Sequence, residues 1–214
     1  MAKNRYWIGA VLIGMVVASC SPRQSEEFFL DGSLVNGRTA KSAALYEYMP
    51  EYGKLRFVDS AKVENGQFRL SGICMKELEC FVRLDNDSVV FPFLLSPAGL
   101  KMEIGQNGYT VTGTANNVRY TKLLMQQRRG INLRKELQEQ YRKLADDSLL
   151  TKAKEKELID RYRNISIELN KAVYDAVESN LETNEVFSSL VFRVFSNELS
   201  AAQVDSLQNK MKQK

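Results

Sequence analysis

Hydrophobic and polar residues alternate in two different rhythms along this chain, and the rhythm changes near Thr114. Before that residue, short alternating or apolar runs are interrupted by turn residues, which is typical of strands. Because Asn and Gly tolerate positive φ, three Asn-Gly pairs predict tight turns, and the clearest hairpin is "KVENGQF". The runs predict eight strands, at Phe29–Leu34, Ala43–Met49, Leu55–Val63, Gln67–Ser71, Cys80–Asp85, Val89–Leu95, Leu100–Ile104 and Tyr109–Thr112.

After Thr114, apolar residues recur every three or four positions among charged residues, which predicts amphipathic helices. Two long stripes, one from Leu133 to Leu144 and one from Leu158 to Leu181, are joined by "ADDSLL" and predict an antiparallel helical hairpin, with Gly130 breaking or kinking its first helix. A short helix from Val186 to Phe195 and a terminal helix capped by Ser200 and Gln203 follow. The predicted fold class is α+β: an antiparallel β-sandwich or partly open barrel, then a helical hairpin and short C-terminal helices.

The first residues have the layout of a secretory signal peptide. Lys3 and Arg5 precede a run of 14 uncharged residues, which is shorter than the roughly 20 that a membrane-spanning helix needs. The run ends at Val17-Ala18-Ser19-Cys20, which resembles a bacterial lipobox and predicts cleavage before Cys20 and lipidation of that cysteine. The predicted division is a signal peptide at 1–19, a lipid-anchored tether at 20–27, a β domain at 28–114 and a helical segment at 115–214.

This N-terminus predicts a location in the cell envelope, with the membrane as a partner through the N-terminal lipid. Ser21 follows Cys20 where an Asp would indicate inner-membrane retention in some bacteria, so the outer membrane is the predicted site. Loss of Lys3 and Arg5 lowers the formal net charge from +4 to +2. Since basic residues are interleaved with acidic ones, no nucleic-acid partner is predicted.

The residue types present limit the chemistry. The sequence contains no histidine, which removes the usual proton shuttle at neutral pH and the commonest metal ligand. A Gly-rich phosphate loop is also absent, and the Asp85-Asn86-Asp87-Ser88 stretch indicates a hairpin turn rather than a calcium loop. We therefore predict no catalytic residue, no metal ligand and no cofactor.

Two cysteines remain once Cys20 is assigned to the lipid. Cys74 and Cys80 bracket "MKELE" between two predicted strands, and exported proteins mature in an oxidising compartment. A structural disulfide between them, worth about 2 kcal/mol for so short a loop, is the favoured prediction. Two free buried thiols and a redox-active pair are the alternatives.

The run "DSAKVENGQFRLSG", from Asp59 to Gly72, resembles the signature of domain-of-unknown-function family 4369 (DUF4369). The matching positions are Asp59, Ser60, Val63, Asn65, Gly66, Phe68 and Gly72, and "VTGTANN" resembles the family's closing strand and first helical residues. The resemblance covers about residues 28–197. It implies an N-terminal β domain of a Bacteroidota envelope lipoprotein, with no known activity. A thioredoxin-like domain often follows in such proteins, but this sequence has no Cys-x-x-C, so no redox activity is expected from the resemblance.

A triplet of Asp, Ser and an aliphatic residue occurs four times. It resembles the acceptor motif for O-glycosylation of exported Bacteroidota proteins, and the same residues are also favoured in ordinary turns and caps. The candidate glycosylation sites are Ser60, Ser88, Ser148 and Ser206.

Together these observations predict a non-enzymatic envelope lipoprotein that acts as a binding or assembly module for an unknown envelope protein or glycan. One alternative is an accessory to envelope thiol-disulfide chemistry through Cys74 and Cys80. Another is a carbohydrate-binding lipoprotein whose aromatic residues line a sugar platform, at Tyr46, Tyr48, Tyr52, Phe57 and Phe91.

Overall fold

Eight strands precede the helices in the computed structural model, which describes residues 26–213. All eight predicted strands are confirmed, each to within two residues at either end. They are β1 (Glu27–Leu34), β2 (Ser42–Met49), β3 (Lys54–Lys62), β4 (Gln67–Ile73), β5 (Leu78–Leu84), β6 (Val90–Leu95), β7 (Gly99–Gly105) and β8 (Gly108–Thr112).

The strands form two four-stranded sheets that face each other across one core. Sheet A has the order β4-β1-β7-β8, and sheet B has the order β3-β2-β5-β6. Side chains that alternate along the strands fill the space between the sheets, among them Leu30, Leu45, Val82 and Met102, all fully buried. The predicted sandwich is therefore confirmed, although one pair in sheet A, β1 with β7, is parallel rather than antiparallel.

The turn in "KVENGQF" forms as predicted but connects strands of different sheets. Asn65 and Gly66 have φ values of 53° and 75°, the left-handed geometry that a tight two-residue turn requires. The two strands that the turn joins are paired through a single β-bridge, between Glu64 and Gln67, because β3 belongs to sheet B and β4 to sheet A. This turn is the corner at which the chain crosses from one sheet to the other.

Two glycine–aromatic pairs set the spacing of β1 and β4. Gly32 lies opposite Phe68, and Phe28 lies opposite Gly72. A Cβ on Gly32 would lie only 2.0 Å from Phe68 Cζ, so the ring occupies the space that the missing side chain leaves. A Cβ on Gly72 would lie 3.0 Å from Phe28. Phe68 and Gly72, which carry part of the family resemblance, are thus packing residues of sheet A.

The helical segment begins just after β8. It comprises α1 (Ala115–Asp146), α2 (Lys152–Glu178), α3 (Glu185–Phe195), a short 3₁₀ turn and α4 (Ala201–Lys212). The predicted capping box of Ser200 and Gln203 is present. Of the break or kink predicted at Gly130, the break is wrong: α1 is continuous there, and a Cβ on Gly130 would lie 3.4 Å from Ile165 of α2. The glycine lets the two helices approach closely.

Helix α1 completes the free edges of two strands with its side chains. The Asn117 amide accepts a hydrogen bond from Leu94 N–H (3.1 Å) and donates one to Leu94 C=O (2.7 Å), at the edge of β6. One turn later, the Thr121 hydroxyl accepts from Val111 N–H (2.8 Å) and donates to Val111 C=O (2.6 Å), in β8. These side chains take the place of a neighbouring strand, so the sandwich is closed on its β6/β8 side.

The direction of α1 defines two ends of the molecule. Thr121 lies beside Val111 and Arg128 beside Gly108, so α1 runs antiparallel to β8. From Gly130 the helix continues to Asp146, a length of about 25 Å at 1.5 Å per residue. The α1–α2 turn therefore lies far from Thr114, where the helix begins. Near this turn, Leu137 and Leu158 are buried but do not belong to the main core, which indicates a helical arm.

Candidate functional site

The outward-facing residues of sheet A form three rows on a surface that we call the outer groove. Residues at alternate positions of β4, β1, β7 and β8 share this face, because side chains alternate along each strand. The first row comprises Ser71, Phe29 and Gly99; the second comprises Arg69, Asp31, Lys101 and Thr112; the third comprises Gln67, Ser33, Glu103 and Thr110. The corner between β3 and β4 forms one rim, and the concavity has a volume of about 660 Å³.

A network of charges occupies the middle of the groove. Arg69 binds Asp31 through two contacts, Nε to Oδ1 at 2.5 Å and Nη2 to Oδ2 at 3.0 Å. This hydrogen bonding, with the nearby charge of Lys101, lowers the pKa of the Asp31 carboxyl. The groove is lined by three cationic residues and three anionic ones, namely Lys62, Arg69, Lys101, Asp31, Glu64 and Glu103. The formal charges that line the groove therefore sum to zero, and the groove offers both donors and acceptors of hydrogen bonds.

Phe29 provides an apolar surface beside these charges. Its side chain is 42% exposed, although it belongs to a strand. Its partner in β7 is Gly99, whose φ is not in the left-handed region and whose Cβ, if present, would meet nothing within 4 Å. Neither backbone geometry nor packing therefore requires a glycine there. The effect of Gly99, with Ser71 on the other side, is to leave the flanks of the Phe29 ring open.

The sugar platform predicted on the other sheet does not assemble as expected. Phe91 is buried in the core, and Tyr52 lies in the turn between β2 and β3. The rings of Tyr46 and Tyr48 are covered by guanidinium groups, Arg83 at 4.7 Å and Arg193 at 3.9 Å from the ring centroids. Phe57 is exposed but packs edge-on against Tyr46. Aromatic rings are thus present on sheet B, but three of the five have a guanidinium over one face, since Arg38 also lies over Phe91.

Arg193 also joins α3 to sheet B. Its guanidinium pairs with Glu79, a carboxylate that is 7% exposed, and lies over the Phe81 ring. Burial lowers the pKa of this arginine. A second polar contact ties both α1 and α3 to the β domain: the Glu77 carboxylate accepts hydrogen bonds from Asn116 and from Asn184, the N-cap residue of α3. These contacts position the helices and leave the outer groove uncovered.

Cys74 and Cys80 are both buried and both free thiols, so the predicted disulfide is not formed in this structure. The Cys74 thiol donates to Lys76 C=O at 2.8 Å. Burial raises the pKa of both thiols, above all that of Cys80. Because the thiolate is the nucleophile in disulfide exchange, this environment disfavours redox chemistry at the pair.

The four candidate glycosylation serines occupy different settings. Ser88 is exposed in the loop between β5 and β6, and Ser148 is exposed in the α1–α2 turn with a φ of 58°. Ser60 is exposed within β3, and Ser206 is partly buried within α4. Ser88 and Ser148 are therefore the two that lie outside regular secondary structure. Modification at any of the four stays a prediction.

The predicted signal peptide, Cys20 and most of the tether lie outside the described residues. Within residues 26–213, no helix is long and apolar enough to cross a membrane. The same part of the chain contains no group of three or more Cys, Asp or Glu side chains placed to hold a metal ion. In the Asp85–Ser88 turn, Asp85 accepts hydrogen bonds from the N–H groups of Lys41 and Ser42, and Asp87 pairs with Arg38.

Phe29, Asp31, Arg69 and Gly99 were not singled out by the sequence. The signal that identifies them is the alternation within β1, where Phe29, Asp31 and Ser33 share one face and Phe28, Leu30 and Gly32 share the other. Arg69 and Gly99 lie beside these residues because β1 pairs with both β4 and β7. The alternation within β1 does not predict that pairing.

Comparison with known proteins finds a family match in the β domain. Residues 28–120 match the family described as "Domain of unknown function (DUF4369)", which confirms the resemblance seen at Asp59–Gly72. The match ends within α1, short of the expected residue 197. No curated protein matches the chain. A crystal structure of a "putative cell adhesion protein" from Bacteroides ovatus aligns with 12% identity and a TM-score of 0.27, over 42% of this chain and 43% of that one. The chain thus spans less than half the length of that structure.

Proposed function

We propose that this chain, in which residues 28–120 form a DUF4369 domain, is a non-enzymatic binding module held at the cell envelope by lipid on Cys20. Its ligand binds in the outer groove of sheet A. The observation that carries this proposal is the contrast between the two sheets. Helix α3 and its Arg193 cover part of sheet B, whereas sheet A has an uncovered concavity of about 660 Å³, and the exposed ring of Phe29 lies in the neighbouring row of the same face. Concave surfaces of this size are typical of ligand sites.

The chemistry of the groove supports binding rather than catalysis. A general acid near neutral pH needs a carboxyl with a raised pKa, and the pKa of Asp31 is instead lowered by Arg69. The sequence has no histidine, and the two thiols of the described chain are buried with raised pKa values. The charged residues of the groove are suited to orienting a ligand through hydrogen bonds.

The balance of charges favours an uncharged, polyhydroxylated ligand, which is the chemistry of a glycan. Hydroxyl groups both donate and accept, so they can donate to the carboxylates of Asp31 and Glu103 and accept from the interleaved Arg69 and Lys101. A sugar ring can stack on Phe29, whose flanks are open. An anionic ligand would meet the three carboxylates, and a cationic one would meet the arginine and the two lysines. For the carbohydrate-binding alternative, the proposed stacking residue is therefore Phe29 of sheet A and not a tyrosine of sheet B.

The anchor and the groove need separate tests. For the anchor, cells are fed a labelled fatty acid, and we expect label on the wild-type chain and none on Cys20→Ala, which should leave the membrane fraction. Label on the variant, or continued partition with membranes, would contradict the anchor.

For the groove, a photo-reactive amino acid replaces Thr112, an exposed rim residue of sheet A, or Lys135, an exposed residue of α1 far from it. Irradiated cells should yield a discrete adduct at position 112 and none at 135. If the added mass is sensitive to periodate and resistant to protease, the ligand is a glycan. If the added mass is sensitive to protease, the ligand is a protein and the glycan assignment is wrong. Equal labelling at the two positions would overturn the groove itself.

A further inference from the structure

Two of the most exposed apolar side chains lie at one end of the sandwich. Ile73, the last residue of β4, is 73% exposed, and Met75, in the loop to β5, is 77% exposed. Cys74 between them points into the core, so the alternation along the chain turns both neighbours outward. Lys76 follows and is exposed as well. We call Ile73, Met75 and Lys76 the apolar tip.

This tip lies where the described chain begins. Cys74 N–H donates to Glu26 C=O at 2.6 Å, and Ile73 pairs with Glu27 across the first position of β1. The residue that leads back to the predicted anchor is therefore hydrogen-bonded to the loop that carries the tip. Six residue steps separate Cys20 from Glu26, and a fully extended chain covers at most about 3.6 Å per residue, or about 22 Å in all.

The opposite end of the molecule exposes one large apolar residue of its turn, Leu149, among charged residues. The α1–α2 turn carries Asp146, Asp147 and Lys152, and it lies at the end of the helical arm, away from Thr114 and the start of β1. A lipid on Cys20 would thus keep the apolar tip within reach of the bilayer, at the end of the molecule opposite the arm.

We infer that the apolar tip rests on the lipid surface, with Ile73 and Met75 entering the boundary between headgroups and acyl chains and Lys76 lying among the phosphates. This inference depends on the proposed anchor at Cys20. Two apolar side chains give little affinity alone, but the anchor keeps them close to the membrane, where their burial is favourable. The consequence is a fixed orientation in which the outer groove opens sideways, parallel to the membrane, rather than onto it.

The sequence provides a clean optical test. The chain has a single tryptophan, Trp7, within the predicted signal peptide, so the mature chain has none. An Ile73→Trp variant of the mature, lipidated protein is placed in vesicles of phosphatidylethanolamine and phosphatidylglycerol that contain a share of lipid with brominated acyl chains. Leu149→Trp, at a 63% exposed position in the α1–α2 turn, is the matched control.

We expect the tryptophan emission of the Ile73→Trp variant to shift to shorter wavelength and to lose about half its intensity to the bromines. The Leu149→Trp control should keep the spectrum of a water-exposed ring. A Met75→Ser change in the Ile73→Trp background should reduce the quenching. Since Ile73 and Met75 are exposed, the fold should tolerate both changes, and circular dichroism checks this.

Three results would overturn the inference. If the Ile73→Trp protein floats with the vesicles and its emission is neither shifted nor quenched, the tip does not touch lipid, although the anchor stands. If the emission is shifted without quenching, protein covers the introduced ring, as in contact with a second copy. If the protein isolated from envelopes carries no lipid and does not float, the anchor proposal fails first and the orientation with it.

Discussion

Replacing Asn117 with alanine removes the side chain through which α1 completes the edge of β6. Both Asn117 and Leu94 are fully buried, and the amide makes one hydrogen bond to Leu94 N–H and one to Leu94 C=O. Leaving a buried polar group without a partner costs about 1–3 kcal/mol, so two such groups cost about 3 kcal/mol at a conservative value for each. The bond from the Asn117 amide to the Thr114 hydroxyl, at 3.1 Å, is lost as well.

The loss should appear as a lower free energy of unfolding. In a protein of this size, each kcal/mol corresponds to about 2–4 °C in Tm, so Asn117→Ala should lower Tm by about 6–12 °C. Thermal and urea unfolding followed by far-UV circular dichroism measures both quantities. Val118→Ala, at the next position and 51% exposed, is the control and should stay within about 0.5 kcal/mol of wild type. An Asn117→Ala protein as stable as the control would refute the view that α1 substitutes for a strand.

Three further outcomes follow from the contacts described. Gly32→Ala should destabilise the fold by about 3 kcal/mol, because its Cβ would overlap the Phe68 ring, whereas Gly99→Ala should be neutral or slightly stabilising; equal urea midpoints would contradict this. The thiols of Cys74 and Cys80 should resist a thiol-titrating disulfide reagent at pH 8 in the folded protein, and both should react in denaturant. Prompt reaction in the folded protein would support the redox alternative. The absence of any reactive thiol after denaturation would establish the predicted disulfide. Hydrogen bonds lower the pKa values of Asp31 and Asp85 below their ordinary 3.8, so the stability they contribute is complete above that pH and is lost as pH falls through the lowered values. Stability against urea should therefore be nearly constant between pH 6 and 8 and weaken below about pH 4, less steeply in Asp85→Asn; a marked change near neutrality would refute it.

Local patterns in the sequence predicted the elements well. Alternation and turn residues located all eight strands, and seven of these strands have one face in a common core, whereas β3 is largely exposed. Asn65 and Gly66 identified the turn at the corner between the sheets, because residues that accept positive φ suit such a turn. The caps at Ser200 and Gln203 likewise act within four residues.

What the sequence did not predict depends on contacts between distant segments. The parallel pairing of β1 with β7 joins residues about seventy positions apart, and no local signal encodes it. The low helix propensity of glycine predicted an interruption of α1 at Gly130, but the helix continues through it. Gly130 packs closely against Ile165 of α2, a contact that its local sequence does not predict. The five aromatic residues of the predicted sugar platform do not form one surface, because Phe91 is buried in the core and Arg193, from the distant α3, covers Tyr48.

The effect of Gly99→Val on ligand capture tests the outer groove most directly. Valine suits a strand and has space at this position, so the fold should be as stable as wild type or more so, while its methyl groups should narrow the open space beside Phe29, the residue with which position 99 pairs. In a protein that carries both Gly99→Val and the photo-reactive residue at position 112, we predict that most of the adduct is lost, whereas Tm stays the same as without the valine. An undiminished adduct from a protein that folds normally would contradict the assignment of the groove.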